Sequence, residues 1–373
     1  MTDRKLELIN VRKDYDNGDV IAVDGIDMTV ERGETVALLG PSGCGKSTTL
    51  NMIVGLEQPT SGEILVDGQS VVGVPAGKRN IGLVFQDYAV FTHMTVAKNL
   101  SFGLEVSGMP RAEINRRVGE VVELLGLKDL LKEKASRLGG SQLQRVAIGR
   151  TLVTQPAILL LDEPLSNLEA EARAAMRREL RRLQGEIGLT IIYVTHDQTE
   201  ALSLANRVAV MSHGKIRQFD ATATVYDQPA HSFVASFIGD PAMNLISAEI
   251  IQNGPQSALR MGDATLPLPA TLSTGGYRSG DRVTFGIRPE ALRVTQPDQG
   301  SLTGTVTQIA SRGPEAVVTL TGLGTEFAVV VPSHGRPATG DVLTFTADPA
   351  AMVLFCAETG LNLSASQDLE VAA

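Results

Sequence analysis

The chain has 373 residues, 43% of them hydrophobic and 20% charged, with a formal net charge of −9. That length exceeds one ordinary domain and predicts two or three. The acidic balance excludes a protein that coats nucleic acid, which needs a basic surface to neutralise phosphates, and it disfavours adsorption to an anionic lipid surface.

The opening M-T-D-R-K-L-E-L-I-N has no apolar stretch of the kind a secretory signal requires. Apolar runs such as Ala157–Leu161 are far shorter than the ~20 residues of a membrane helix, so any membrane role is expected to come through a partner. Cys44 and Cys356 are the two cysteines and lack C-x-x-C spacing. A disulfide framework is excluded, and a reducing cytoplasm fits best.

In chain order, Val36–Leu39 reads as a short buried strand and Ser47–Val54 as the helix that follows. Between them, G-P-S-G-C-G-K-S-T fits G-x-x-x-x-G-K-[ST] over Gly40, Pro41, Ser42, Gly43, Cys44, Gly45, Lys46, Ser47 and Thr48. In that context the glycines free backbone N–H groups for phosphate oxygens, and the helix N-terminus adds a favourable dipole. Lys46 is expected at the β- and γ-phosphates of a nucleotide, and the Ser47 hydroxyl on Mg²⁺. Cys44 reads as a tolerated small residue. Gln86, in L-V-F-Q-D-Y, is either a surface amide or a neutral Mg²⁺ ligand. The stretch R-L-G-G-S-Q-L-Q-R, residues 137–145, precedes a helical run and is either a flexible cap or a phosphate contact.

I-L-L-L-D-E-P, Ile158 to Pro164, is a buried strand with carboxylates at its C-terminal end, where ligands collect in such sheets. Asp162 is expected to hold Mg²⁺ and Glu163 to polarise an attacking water. Leu168–Ile187 reads as a long helix with a solvated Arg/Glu face. Thr190–Val194 is another buried strand, and His196 at its end can meet a γ-phosphate. His93, His213 and His231 show no ligand spacing. Near residue 240 the pattern turns all-β, with alternating segments such as D-R-V-T-F-G-I-R and T-E-F-A-V-V-V-P that suggest a small barrel or sandwich. The tail S-A-S-Q-D-L-E-V-A-A reads as frayed.

Taken together, the P-loop, Q-D-Y-A-V-F-T-H-M-T-V, R-L-G-G-S-Q-L-Q-R-V-A, L-L-L-D-E-P-L-S-N-L and V-T-H-D-Q-T-E-A resemble the ATPase subunits of ABC transporters. V-Y-D-Q-P-A-H-S-F-V-A-S-F-I-G and G-I-R-P-E-A-L make the chain similar to the maltose-type branch of bacterial importers. The resemblance implies an α/β P-loop NTPase domain over 1–240, with a helical subdomain at about 87–155. An all-β, OB-like regulatory domain over 241–373 follows. It implies ATP and Mg²⁺ as cofactors, and ATP hydrolysis that drives import of a sugar, polyol or sugar derivative. Importers of polyamine, iron or sulfate share much of the pattern. A soluble ABC protein and a weak-ATPase regulatory module are the rival classes. Tyr15 is implied to stack on adenine, and Gln86 to join the Mg²⁺ ligands. Two permease subunits would dock near Gln86–Phe102, although the apolar residues there can equally be core. The resemblance further implies an extracytoplasmic binding protein that would act indirectly, a site of action on the cytoplasmic side of the plasma membrane, and no nucleic-acid partner.

Two departures from the family pattern stand out. The signature usually reads Leu-Ser-Gly-Gly-Gln and here reads Leu138, Gly139, Gly140, Ser141, Gln142. The family's serine faces the γ-phosphate bound to the other subunit, and Gly139 removes that hydroxyl. Ser141 compensates from another direction or acts as a helix cap. Losing such a bond costs about 1.5–3 kcal/mol, which is a ~10- to ~150-fold slower hydrolysis if it acts in the transition state. The next loop ends in Glu169, where the family usually has Asp. Both elements reach across a dimer, so a homodimer and a heterodimer with an unaltered ATPase both remain open.

Overall fold

A computed structural model describes residues 3–253, 256–269, 272, 278–296, 300 and 302–363. The expected frayed tail, 364–373, lies outside the described residues. The chain divides into two compact units, Met1–Thr222 and Ala223–Ala373.

In the first unit a six-stranded sheet runs in the order β10-β9-β3-β8-β7-β6. Its strands are β3 (Thr35–Leu39), β6 (Ile81–Val84), β7 (Ile158–Asp162), β8 (Thr190–Thr195), β9 (Arg207–Ser212) and β10 (Lys215–Ala221). All neighbours are parallel except β9 and β10. The continuous apolar runs T-V-A-L-L and T-I-I-Y-V-T suit strands covered on both faces, and every residue of β3 and β8 is buried. An antiparallel sheet of β1 (Arg4–Tyr15), β2 (Val20–Glu31), β4 (Ser61–Val66) and β5 (Gln69–Ser70), in the order β2-β1-β4-β5, joins it. Both sheets share a core containing Leu6, Val36, Leu50, Ile53 and Leu160.

Helix α1 (Lys46–Val54) follows β3 directly. Between β6 and β7 lie only helical elements, α2 (Val96–Val106), α3 (Arg111–Leu124) and α4 (Gly140–Leu152), with short 3-10 turns. Helix α5 (Ala170–Ile187) buries Met176, Leu180 and Leu183 at helical spacing, while Arg182 pairs with Glu179 and Glu186 on the outer face. Helix α6 (Gln198–Leu204) follows β8.

The helix starts differ in a way that matters for the site. Thr95 caps α2 through its side chain, and the Asp197 carboxylate caps α6 by accepting from Thr199 and Glu200 N–H. The cap of α4 is Gly139, which has no side chain to offer, and Ser141 is the second helical residue. The alternative in which Ser141 caps this helix is therefore corrected, because the capping position is two residues earlier. Glu169 caps α5 without a side-chain bond. Glutamate is not among the preferred N-cap residues, which are Asn, Asp, Ser, Thr and Gly.

The second unit begins with α7 (Thr222–Asp227) and α8 (Ser232–Phe237), ahead of the composition change at residue 240. Two five-stranded antiparallel sheets follow, in the orders β13-β12-β11-β14-β20 and β15-β19-β16-β17-β18. The first comprises β11 (Asn244–Asn253), β12 (Gln256–Met261), β13 (Ala264–Pro267), β14 (Arg282–Ile287) and β20 (Val353–Cys356). The second comprises β15 (Leu292–Thr295), β16 (Leu302–Arg312), β17 (Glu315–Gly322), β18 (Thr325–Pro332) and β19 (Val342–Ala347). Their inward residues, among them Phe285, Leu302, Val318, Phe327 and Phe345, form one core. Asn244 ties the sheets together by exchanging two hydrogen bonds with the backbone of Ala328, each 2.8 Å.

Arg288, in the G-I-R-P-E stretch, is 5% exposed. It donates to the carbonyls of Ala235, Ile238 and Tyr226 and lies 4.1 Å over the Tyr226 ring. It thereby supplies donors to the carbonyls at the end of α8. Arg288→Met is expected to lower the stability of the second unit by about 2–4 kcal/mol through orphaned buried carbonyls. Differential scanning calorimetry of the full chain checks this, and an unmoved transition contradicts it. Glu169→Asp is expected to add about 0.5–1 kcal/mol to the first unit by capping α5, with unchanged denaturant stability as the contrary result.

Candidate functional site

The phosphate-loop geometry follows from β3 ending in the sheet interior and α1 starting a few residues later. Gly45 sits at φ +103°, and a Cβ there would stand 2.4 Å from the Ala22 carbonyl oxygen. Gly40 is equally confined, since a Cβ would meet the Met211 carbonyl oxygen at 2.3 Å. Only glycine fits either position. Lys46 is 6% exposed, and its Nζ donates to the carbonyls of Gly40 at 2.8 Å and Pro41 at 2.9 Å. Its ammonium is thus held inside the loop, while Ser42, Gly43 and Ser47 are exposed around it and Thr48 is half-buried. Cys44 is buried, and that burial pushes its thiol above the ordinary range.

Asp162 and Glu163 close β7. Burial, reinforced by the Glu163 charge, raises the Asp162 carboxyl above its usual value, and Lys46 opposes the shift. Glu163 has φ +44°, unusual for a non-glycine residue, and its N–H donates to Val194 O at 3.1 Å. The turn aims its carboxylate at two partners. Gln86 Nε2 donates to Oε2 at 3.2 Å, and His196 Nδ1 lies 3.2 Å from Oε1. Three residues from the ends of β6, β7 and β8 therefore meet, which the parallel order of those strands makes possible. Strain of this kind collects at functional sites.

Tyr15 ends β1 and is 36% exposed. Its hydroxyl donates to Glu57, Lys13 Nζ lies 5.0 Å over its ring, and Thr48 of α1 lies within side-chain reach. The aromatic face is thus placed beside the phosphate-loop helix. Leu138, Gly139, Gly140, Ser141 and Gln142 form a separate group. A Cβ on Gly140 would lie 3.4 Å from Leu168 and 3.7 Å from the Tyr88 hydroxyl. Gln142 Oε1 accepts the Gly139 N–H at 3.1 Å. Among the described residues no hydrogen bond or ion pair links 138–142 to the phosphate loop.

The stretch after Gln86 is half-buried around Phe91, whose ring meets Phe102 edge-on at 5.0 Å and Arg150 at 4.4 Å. Asn99 clamps its backbone from both sides. Between α2 and α3 opens a groove of about 680 Å³ lined by Ala97, Ser101, Met109, Ile114 and Val118, with Lys98, Glu105 and Arg111 also on its wall.

Four residues that the sequence reading did not single out support the site. Ser166 Oγ donates to Glu163 O at 3.0 Å, and Asn167 Nδ2 donates to Gln86 O at 3.0 Å. Glu200, 2% exposed, accepts from Thr195 Oγ1 at 2.8 Å. Arg173, assigned to the solvated face of α5, instead pairs with Asp197 at 3.5 Å and Glu200 at 3.7 Å. The one sequence signal for it is its place in the first turn after the loop. No helix among the described residues is long and apolar enough to cross a membrane.

Residues 23–166 match the family described as ABC transporter, 239–292 the MalK OB fold domain and 285–355 the TOBE domain. The chain is 43% identical over 356 residues to the alpha-glucoside transport ATP-binding protein AglK of Rhizobium meliloti (strain 1021), covering 94% of this chain and 97% of that one. It is 44% identical over 312 residues to the spermidine/putrescine import ATP-binding protein PotA of Mesorhizobium japonicum (strain LMG 29417 / CECT 9101 / MAFF 303099), covering 83% and 85%. The structure of cbiO1 from Clostridium perfringens, described as part of the ABC transporter complex cbiONQ, is similar with a TM-score of 0.57 at 33% identity. That match covers 60% of this chain and 90% of that one. At such identity over nearly the whole of a relative, the chain belongs to the ABC transporter family, as the ATP-binding subunit of an importer, an ATPase coupled to transport.

Proposed function

We propose that two copies of this chain close on two ATP molecules, and that closure drives a permease for a sugar, polyol or sugar derivative. The observation that carries the reading is the triangle of Gln86, Glu163 and His196 beside the phosphate loop. Lys46 leaves the Gly40 and Pro41 carbonyls for the β- and γ-phosphates, and the loop N–H groups take the remaining oxygens. Tyr15 stacks on adenine. Glu163 accepts a proton from the attacking water, and His196 steadies the γ-phosphate.

Ser47, Gln86 and Asp162 are the residues that would hold Mg²⁺. Hydroxyl, amide and carboxylate oxygens suit that ion, and a cation there would offset the burial and the Glu163 charge that push the Asp162 carboxyl up. Held there, the ion would supply positive charge to offset the charge that develops on the phosphates.

Residues 138–142 act on the nucleotide of the partner copy. Both departures from the family pattern fall on elements that reach across, while Lys46, Ser47, Gln86, Asp162, Glu163 and His196 keep it. That favours, as a second reading, a heterodimer in which an unaltered ATPase completes one site. Two permease subunits dock over residues 86–102 and the groove between α2 and α3, on the cytoplasmic side of the membrane. The sugar class is supported by AglK, matched over 97% of its length, and by the match to the MalK OB fold domain. The similarity to PotA makes polyamines the rival substrate.

Glu163→Gln is expected to lower ATP hydrolysis by ~10²- to ~10⁴-fold with nucleotide binding retained, and chelation of Mg²⁺ to stop hydrolysis. A rate near that of the parent places the base elsewhere. The paired exchange Gly139→Ser with Ser141→Gly is expected to speed hydrolysis by ~10- to ~150-fold. A Cβ on Gly139 meets nothing within 4 Å, so the serine fits. An unchanged rate shows that residue order is immaterial. Brisk hydrolysis at two equivalent sites by the purified chain alone disposes of the heterodimer. Uptake of an α-glucoside, and not putrescine, by the reconstituted transporter is the substrate test.

A further inference from the structure

Arg173 stands in the first turn of α5, its N–H bonded to Glu169 O at 2.8 Å. Its guanidinium faces three elements at once. Nη2 donates to Leu168 O at 3.2 Å, Nη1 to Asp197 Oδ2 at 3.5 Å, and Nε lies 3.7 Å from Glu200 Oε1. Glu200 is 2% exposed, so this carboxylate is not available to solvent.

The three contacts surround His196. Asp197 follows it, caps α6 through Oδ1, and donates its N–H to Thr195 Oγ1 at 3.0 Å. Thr195 precedes it and donates to Glu200 Oε2 at 2.8 Å. Both chain neighbours of His196 therefore belong to the network that Arg173 joins, with Arg177 a second positive charge near Glu200. At its other end the loop 165–169 is tied to Glu163 through Ser166 and to Gln86 through Asn167. The contacts close a ring from Glu163 through the loop to Arg173, Asp197 and His196, and back to Glu163.

We infer that Arg173 is a positioning residue for hydrolysis, locking the loop that reaches the partner copy to the turn that presents His196. The inference rests on the proposed role of His196 at the γ-phosphate. A planar fork can serve a carbonyl and two carboxylates in different directions, whereas a lysine ammonium is a single point charge. Displacement of His196 by a fraction of its own size is enough to slow the chemistry.

The test is a kinetic cycle on the full chain, with Mg-ATP hydrolysis measured for the parent, Arg173→Ala, Arg173→Lys, His196→Ala and the Arg173→Ala/His196→Ala double variant. Arg173→Ala is expected to lower kcat by ~10- to ~100-fold with KM for ATP within about 2-fold. In the His196→Ala background the same change is expected to cost less than about 2-fold, because both act through one group. Arg173→Lys keeps a positive charge beside Glu200 but not the fork, so a fall in kcat is expected there too. If Arg173→Ala does not fold, Arg173→Lys carries the cycle. An unchanged kcat, or an equal fall with and without His196, overturns the inference. A parental rate in His196→Ala alone overturns the reading of His196 on which it rests, and shows in that variant without Arg173 being touched.

Discussion

The Glu163 carboxylate is held between the Gln86 amide and the His196 ring, each at 3.2 Å, and its N–H is spent on the neighbouring strand at Val194. That arrangement is possible because β6, β7 and β8 are parallel neighbours whose C-terminal ends finish side by side. Parallel strands of this kind need both faces covered, which accounts for the buried runs of β7 and β8 and for the helices around them. The positive φ at Glu163 is the local cost of bending the chain so that the acid points out of the sheet. The meeting of Gln86, Glu163 and His196 is thus a consequence of how the core is built.

The two family departures share one physical character. Gly139 and Glu169 each occupy the capping position of a helix and provide no side-chain acceptor there. A serine or aspartate at such a position satisfies a free N–H of the first turn and presents an oxygen at the surface. Glycine and glutamate here leave both helix N-termini without a side-chain acceptor at the capping position, at the two elements proposed to reach the partner copy.

Much of this was legible from residue order. Continuous apolar runs such as I-L-L-L and T-I-I-Y-V declared themselves as strands because a doubly covered sheet has no polar face. The phosphate loop was legible because the approach of Ala22 and Met211 to Gly45 and Gly40 leaves room for nothing larger. The long antiparallel pair β1–β2 was not singled out, since its register carries several irregularities that blur the alternation. A cap within R-L-G-G-S-Q was legible, but not that Gly139 and not Ser141 holds the capping position, because glycine carries no capping side chain. Arg173 looked like one more charge on a solvated helix, as Arg182 in fact is, and only the fold brings Asp197 and Glu200 to it. The Asn244–Ala328 exchange spans 84 residues and has no local signal.

The central claim is that nucleotide closes two copies around composite sites, with Glu163 committing them to hydrolysis. Sedimentation of the purified Glu163→Gln chain with saturating Mg-ATP tests it most directly. The account predicts a dimer with two bound ATP per dimer and a monomer with ADP. A chain that stays monomeric with ATP fully bound contradicts it.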